Sequence, residues 1–198
     1  MDNWPTNDLE YGLSKEELNA LPHELYTGEI VIIDTLEALD KAVARLRQSR
    51  YLGFDTETRP SFKKGVRYKV SLLQLSDGAI CYLIRLNKIG IPSSLRELLA
   101  DPTIMKIGLS LKDDFSSLRH LDDTLEFGSF LEMQTLAKSY HIKNISLSGL
   151  YGVLFGKRLS KAQRLSNWEA EPLSKAQQEY AALDALATLR VYQQIRQQ

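Results

Sequence analysis

Along this chain, short apolar runs bounded by turn residues alternate with longer stretches in which apolar residues recur at helical spacing. Residues 29–34 (EIVIID) read as a strand, and Thr35 opens a helix over residues 36–50, with Thr35 as its N-cap and Glu37 and Asp40 near its positive end. Residues 51–58 (YLGFDTET) form the next strand. Residues 70–76 and 79–86 flank Asp77-Gly78, a two-residue hairpin signal. Pro92 precedes a helix over residues 93–100, residues 103–110 are a short strand, and residues 111–120 are a helix. The remainder, residues 128–141, 146–156 and, beyond Pro172, 174–197, is read as helical. Early strands, a hairpin, alternating helix and strand and then a helical tail predict an α/β domain with a mixed sheet. Residues 1–27, carrying Pro5 and Pro22, are expected to be an N-terminal arm leading into a domain over residues 28–198.

Composition narrows the class. The chain has 198 residues, 43% of them hydrophobic, enough for a single domain with its own core. Cys81 is its one cysteine, which excludes an internal disulfide and a cysteine-based zinc site and points to a reducing compartment. The N-terminal MDNWPTNDLE is acidic and polar, and no run approaches the ~18–20 apolar residues of a membrane span, so a cytoplasmic protein with no membrane association is expected. Lys plus Arg number 25 and Asp plus Glu number 25, so net charge makes no case for nucleic-acid binding. The positive charges nevertheless cluster, as Lys63, Lys64 and Arg67 in one segment and Lys157, Arg158, Lys161 and Arg164 in another. Each cluster reads either as a solvated loop or as a basic rim around an acidic site. Neither GxxxxGK[ST] nor GxGxxG occurs, which argues against a nucleotide-binding fold.

The acids carry more information. Asp55 and Glu57 are two apart in a strand, so they share a face while Phe54 and Thr56 point the other way. Neighbouring carboxylates resist ionising together, so the pair is either a metal-ligand pair or a strand end that has reached solvent. In the last helix Tyr180, Leu183, Asp184, Ala187 and Val191 form one stripe. Asp184 is out of place there, because a buried carboxylate needs a partner or a metal, and Tyr180 one turn earlier addresses the same site. The competing reading puts Asp184 at the edge of an amphipathic helix and Tyr180 in ordinary packing. In residues 111–120, Leu111, Phe115 and Leu118 carry the core face, with Asp114 beside it and Asp113 nearly opposite. With Ser110 as the cap, Asp113 takes the third helical position, where a negative charge suits the free N–H groups, and Asp114 is directed toward the sheet. The histidines offer no cluster: His120 and His141 follow helices, and His23 lies in the arm.

GFDTET (53–58), KIGLSLKDDFSSL (106–118), SNW (166–168) and YAALDA (180–185), in that order, resemble the DEDD exonuclease superfamily in its tyrosine-containing (DEDDy) branch, with particular likeness to ribonuclease D and the exonuclease domain of the Werner-syndrome helicase. The likeness runs from about residue 28 to the C-terminus. The first motif is matched by Asp55 and Glu57, the third by Tyr180 and Asp184, and the second best by Asp114, with Asp113 as the other register. The resemblance implies a ribonuclease H-like (DnaQ-like) mixed sheet flanked by helices. It implies 3′–5′ hydrolysis of DNA or RNA to nucleoside 5′-monophosphates, two divalent ions (Mg²⁺ or Mn²⁺) held by Asp55, Glu57, Asp114 and Asp184, and Tyr180 as the group orienting the attacking water. The implied partner is a nucleic acid with a free 3′ end. The chain shows no helicase part and no extra helical substrate-binding domain, so grip on a long substrate is expected to be local or to come from an accessory protein. The alternative is an exonuclease-like binding or scaffold module without catalysis, favoured if Asp114 is turned away or if Asp113 breaks the metal shell. Nucleic-acid preference and oligomeric state are left open.

Overall fold

The computed structural model describes residues 12–197; residues 1–11, the start of the expected arm, and residue 198 lie outside the described residues. Its elements are α1 (Lys15–Ala20), β1 (Glu29–Ile33), α2 (Leu36–Leu46), β2 (Tyr51–Thr58), β3 (Val70–Ser76), β4 (Ile80–Ile84), α3 (Leu86–Ile89), α4 (Ser93–Ala100), β5 (Met105–Gly108), α5 (Leu111–Arg119), β6 (Phe130–Glu132), α6 (Met133–Ser139), α7 (Leu147–Phe155) and α8 (Lys175–Arg196). The strands form one six-stranded sheet in the order β1-β4-β3-β2-β5-β6. β2, β3 and β4 run antiparallel as a meander, while β1 on β4, β5 on β2 and β6 on β5 pair in parallel. The expected mixed sheet flanked by helices is therefore present.

Alternation along the central strands divides the core into layers. Phe54, Leu73 and Leu75 face one way and pack with Leu39, Val43 and Leu46 of α2, Leu98 and Leu99 of α4 and Leu118 of α5. Leu72 and Leu83 face the other way, against Ala181, Ala182 and Ala185 of α8. Each leucine removed fully from water is worth about 1.5–3 kcal/mol, so both layers contribute strongly. The small residues of α8 let it lie close on the sheet, and Gly53 is the point of closest approach. A methyl group on Gly53 would overlap the backbone carbonyl oxygen of Ala185.

Three local expectations are corrected. Residues 128–141 do not form one helix: Phe130–Glu132 add a sixth strand to β5, and the helix begins only at Met133. Phe130 settles the matter by packing edge-on against Phe54, Phe115 and Phe127 at centroid distances of 5.2, 4.9 and 5.7 Å, a tertiary contact that overrides helical periodicity. The β3–β4 connection is three residues, Asp77 to Ala79, rather than two. The Asp77 carboxylate closes it by accepting the N–H groups of Ala79 and Ile80 at 2.9 and 2.8 Å, and Gly78 takes φ 95°. Ser110 does not cap α5 with its side chain; it sits in the left-handed region at φ 66°.

The described part of the arm is docked on the domain. Asn144 both donates to and accepts from the Leu13 backbone at 3.0 and 2.7 Å, and Glu24 accepts the Tyr151 hydroxyl at 2.9 Å. Replacing Gly53 by alanine must push α8 off β2. Gly53→Ala is expected to cost about 1–3 kcal/mol in urea unfolding, the usual cost of overpacking, and a variant as stable as the parent would contradict this contact.

Candidate functional site

The site is built where β2 outruns its neighbour. Pairing between β2 and β5 ends at Gly53 opposite Ile107, whereas pairing with β3 continues to Thr58, so residues 54–58 leave an open edge on one side. Asp55 and Glu57 share the face of Gly53, the face covered by α8, and Asp184 precedes Ala185, the residue in contact with that glycine. Carboxylate oxygens of Asp55, Glu57 and Asp184 thereby lie within 4.8 Å of one another. Asp114 arrives from the opposite layer at the open edge, where it accepts a hydrogen bond of 2.5 Å from the Thr56 hydroxyl. Asp113, one residue earlier, is exposed. β2 thus meets acids from both layers: Asp55 and Glu57 face α8 and Asp184, and Thr56 faces Asp114 of α5.

Glu132 at the end of β6 is the residue that sequence reasoning missed. Its carboxylate accepts the N–H groups of Ser110 and Leu111 at 3.1 and 2.8 Å and that of Gln134 at 3.0 Å. It therefore does the capping expected of Ser110, and does it for two helices, α5 and α6. By fixing the first turn of α5 it fixes where Asp114 points. The only signal in the sequence was an acid immediately before a helical run, in a segment read as helix throughout.

Burial and mutual repulsion dominate the electrostatics. The Asp55 carboxyl is pushed well above its ordinary range, first by desolvation and then by Asp114 and Asp184. Glu57, 9% exposed, is raised to about 10 by desolvation and then by Asp55, Asp184 and Asp114. Desolvation raises Asp184 to about 7, against the hydrogen bond of Tyr180, and Asp114 to about 6, against that of Thr56. The Tyr180 hydroxyl is raised by burial and then by Asp184 and Glu57, so it stays protonated as a hydrogen-bond donor at neutral pH. Its ring lies 5.9 Å from the fully buried Trp168, the aromatic of the SNW segment.

One cleft includes two of these groups, and a second lies along the loop after β2. The first, of about 340 Å³, has Tyr180 and Asp184 in its wall, with Thr27 of the arm and Gln163 opposite. The other, of about 330 Å³, lies between the loop after β2 and the segment before α8, with Phe62 and Lys63 on one side and Leu165 and Asn167 on the other. An Arg59–Glu169 ion pair of 3.0 Å ties these two segments together. Lys63, Lys64, Arg67, Lys161 and Arg164 are exposed along them. Lys157 and Arg158 also hold the arm: Lys157 pairs with Glu24 at 3.2 Å, and the Arg158 backbone bonds to Pro22 and Glu24 at 2.9 Å.

Comparison with known proteins accounts for this constellation. The profile of the 3′–5′ exonuclease family matches residues 30–198. The chain belongs to that family. It is 32% identical to a 3′–5′ exonuclease of Arabidopsis thaliana, over 96% of this chain and 72% of that protein. It is 37% identical to the mouse bifunctional 3′–5′ exonuclease/ATP-dependent helicase WRN, over 76% of this chain but only 11% of that much longer protein. Among solved structures, Escherichia coli ribonuclease D superposes with a TM-score of 0.72 at 25% identity, covering 85% of this chain and 44% of that one. The exonuclease domain of Aedes aegypti Nibbler superposes with a TM-score of 0.79 over 90% of this chain and 92% of that one, at 23% identity, and supports the fold.

The family consists of hydrolytic nucleases that normally use divalent metals, and the donor set here fits such an ion. Every donor is a carboxylate oxygen, the preference of a hard cation, and the proton affinities of Asp55 and Glu57 are raised first by burial and then by the neighbouring acids, both of which a bound cation would offset. A pH dependence follows. The folded-state values of Asp184 and Asp114 lie above their ordinary 3.8, so the folded protein binds protons more tightly than the unfolded chain. Their contribution to stability is complete below about pH 4 and is lost as pH rises through about 6 to 7. In chelator, Tm is expected to fall between pH 5.5 and 8, less steeply in Asp184→Asn and with Mg²⁺ or Mn²⁺ present. A flat profile in chelator would show that burial does not raise the proton affinities of Asp184 and Asp114 as their surroundings require.

Proposed function

We propose that this chain removes nucleotides singly from the 3′ end of DNA or RNA, releasing nucleoside 5′-monophosphates. The observation carrying this reading is the convergence of Asp55, Glu57 and Asp184 within 4.8 Å, beside Tyr180 and with Asp114 at the rim. Asp55, Glu57, Asp184 and Asp114 are the residues that would hold divalent ions, two of them, Mg²⁺ or Mn²⁺. Such ions, when bound, make water nucleophilic at neutral pH and stabilise the oxygens entering and leaving phosphorus. Tyr180, held protonated against Trp168, donates its hydroxyl to orient the attacking water and does not act as a base. The burial that raises the acids' proton affinities also keeps bulk water from competing at the reacting phosphate.

Lys63 lines the cleft beside the loop after β2, and it, Lys64, Arg67, Lys161 and Arg164 are exposed on the two segments that flank this cleft, where they suit phosphate contacts that position a strand without reading its sequence. The scaffold alternative would be favoured by an Asp114 turned away or by Asp113 breaking the metal shell. Asp114 instead bonds to Thr56 at the strand edge and its charge acts on Asp55, and Asp113 is exposed, so catalysis is the reading favoured.

The test is a panel of 3′- and 5′-labelled single strands and duplexes of DNA and RNA with Mg²⁺ or Mn²⁺. A ladder retreating from the 3′ end is expected, abolished by EDTA and by Asp184→Asn. Asp114→Asn is expected to lower kcat by about 100-fold or more, as removal of a group supporting the transition state does, while Asp113→Asn stays close to the parent. Tyr180→Phe is expected to retain metal binding but turn over slowly. Internal cuts, retreat from the 5′ end, or full rate in excess EDTA would overturn the proposal.

A further inference from the structure

Gln74 lies in the middle of β3 with no exposed surface, and neither the nitrogen nor the oxygen of its side-chain amide has a hydrogen-bond partner among the described residues. A buried amide with both atoms unmatched is costly, and the leucines around it at positions 72, 73 and 75 show that this strand otherwise fills such space with hydrocarbon. Its place in the sheet is informative. The β2–β3 register sets Gln74 directly opposite Asp55, and the β3–β4 register sets it opposite Leu83.

Directly opposed residues of an antiparallel pair share a face, with Cβ atoms roughly 4.5–5.5 Å apart. That face is the one under α8, because Leu72 and Leu83 both pack on its alanines. An amide carried on two methylenes reaches a carboxylate at this separation. One oxygen of Asp55 already accepts the Thr56 N–H at 2.9 Å; the other accepts no hydrogen bond among the described residues. An amide is also the suitable donor for this place. It offers N–H groups without a positive charge, whereas lysine or arginine would compete with a cation for the same carboxylate.

Resting on the metal-dependent reading above, we propose that Gln74 is a positioning residue whose amide N–H takes the Asp55 carboxylate as its acceptor when that carboxylate turns to hold a divalent ion. Carboxylates on metals are commonly held by an outer hydrogen bond of this kind, and its loss weakens metal affinity or activity about 10–100-fold. The amide's lack of a partner is then the mark of a group matched to the loaded site.

Mn²⁺ binding, measured by calorimetry on the full chain, and Tm in EDTA test this with Gln74→Met, Gln74→Leu as a second variant, and Leu83→Met as a packing control on the same face. Both Gln74 variants are expected to weaken Mn²⁺ binding by about tenfold or more while Tm in chelator holds or rises. In the nuclease assay, the Mn²⁺ concentration giving half-maximal rate should rise, with most of the rate recovered at saturating metal. Leu83→Met should keep the parent's affinity. Unchanged Mn²⁺ affinity in the Gln74 variants, or a lower Tm in chelator with affinity intact, would overturn the assignment, because the amide would then serve the fold alone. A parent protein that binds no Mn²⁺ would instead overturn the metal reading itself, and the two failures are told apart by that one measurement.

Discussion

The close contact of α8 with β2 at Gly53 is the constraint on which the rest of the structure depends. Helices packed on sheets usually stand off by the length of their side chains. Here the Ala185 carbonyl occupies the position a side chain at Gly53 would take, and Ala181, Ala182 and Ala185 line the contact. That approach brings Asp184 to Asp55 and Glu57, and it buries all three acids, which raises their proton affinities, with repulsion adding to the effect at Asp55 and Glu57. A bulkier contact would relieve the repulsion and dissolve the site. Stability is thus held below what the same fold could reach with neutral residues, as expected where a preorganised charge cluster serves function.

The fourth acid reaches the cluster by a different route. β5 is short and leaves the end of β2 without a neighbour, so a group from the opposite layer can reach the strand edge at Thr56, between Asp55 and Glu57 in the chain. This works only if α5 starts at a fixed point, and Glu132 supplies that point by binding the first N–H groups of α5 and α6 together. The strand that carries Glu132 is held in turn by Phe130 in its cluster with Phe54, Phe115 and Phe127. The position of Asp114 is therefore set by packing far from any charge, which a polar site on a flexible loop would lack.

Around this rigid centre two of the clustered basic residues are tied to the described part of the arm and the others are not. Lys157 and Arg158 fasten the arm, which adds a wall to the cleft beside Tyr180, while the lysines and arginines of the loop after β2 and of the segment before α8 remain in solvent. Charge density along the sequence did not distinguish the two groups. The difference is that Glu24, more than a hundred residues away in the chain, comes to rest beside Lys157 at 3.2 Å.

What the sequence determined by itself was everything carried by local period and residue type. Strand alternation put Asp55 and Glu57 on one face and helical period put Tyr180 and Asp184 on another. The wheel of residues 111–120 separated Asp114 from Asp113, and the mixed α/β layering followed from the order of elements. What only the tertiary structure decided depends on partners distant in the chain. Phe130–Glu132 became a strand because β5 and three aromatic rings were there to receive it. Ser110 lost the cap to Glu132 because the chain reverses at a left-handed residue and an acid from another strand fills the gap. Gln74 is one polar residue among leucines in its strand, and its pairing with Asp55 is a matter of register, which hydrogen bonds between strands fix and composition does not.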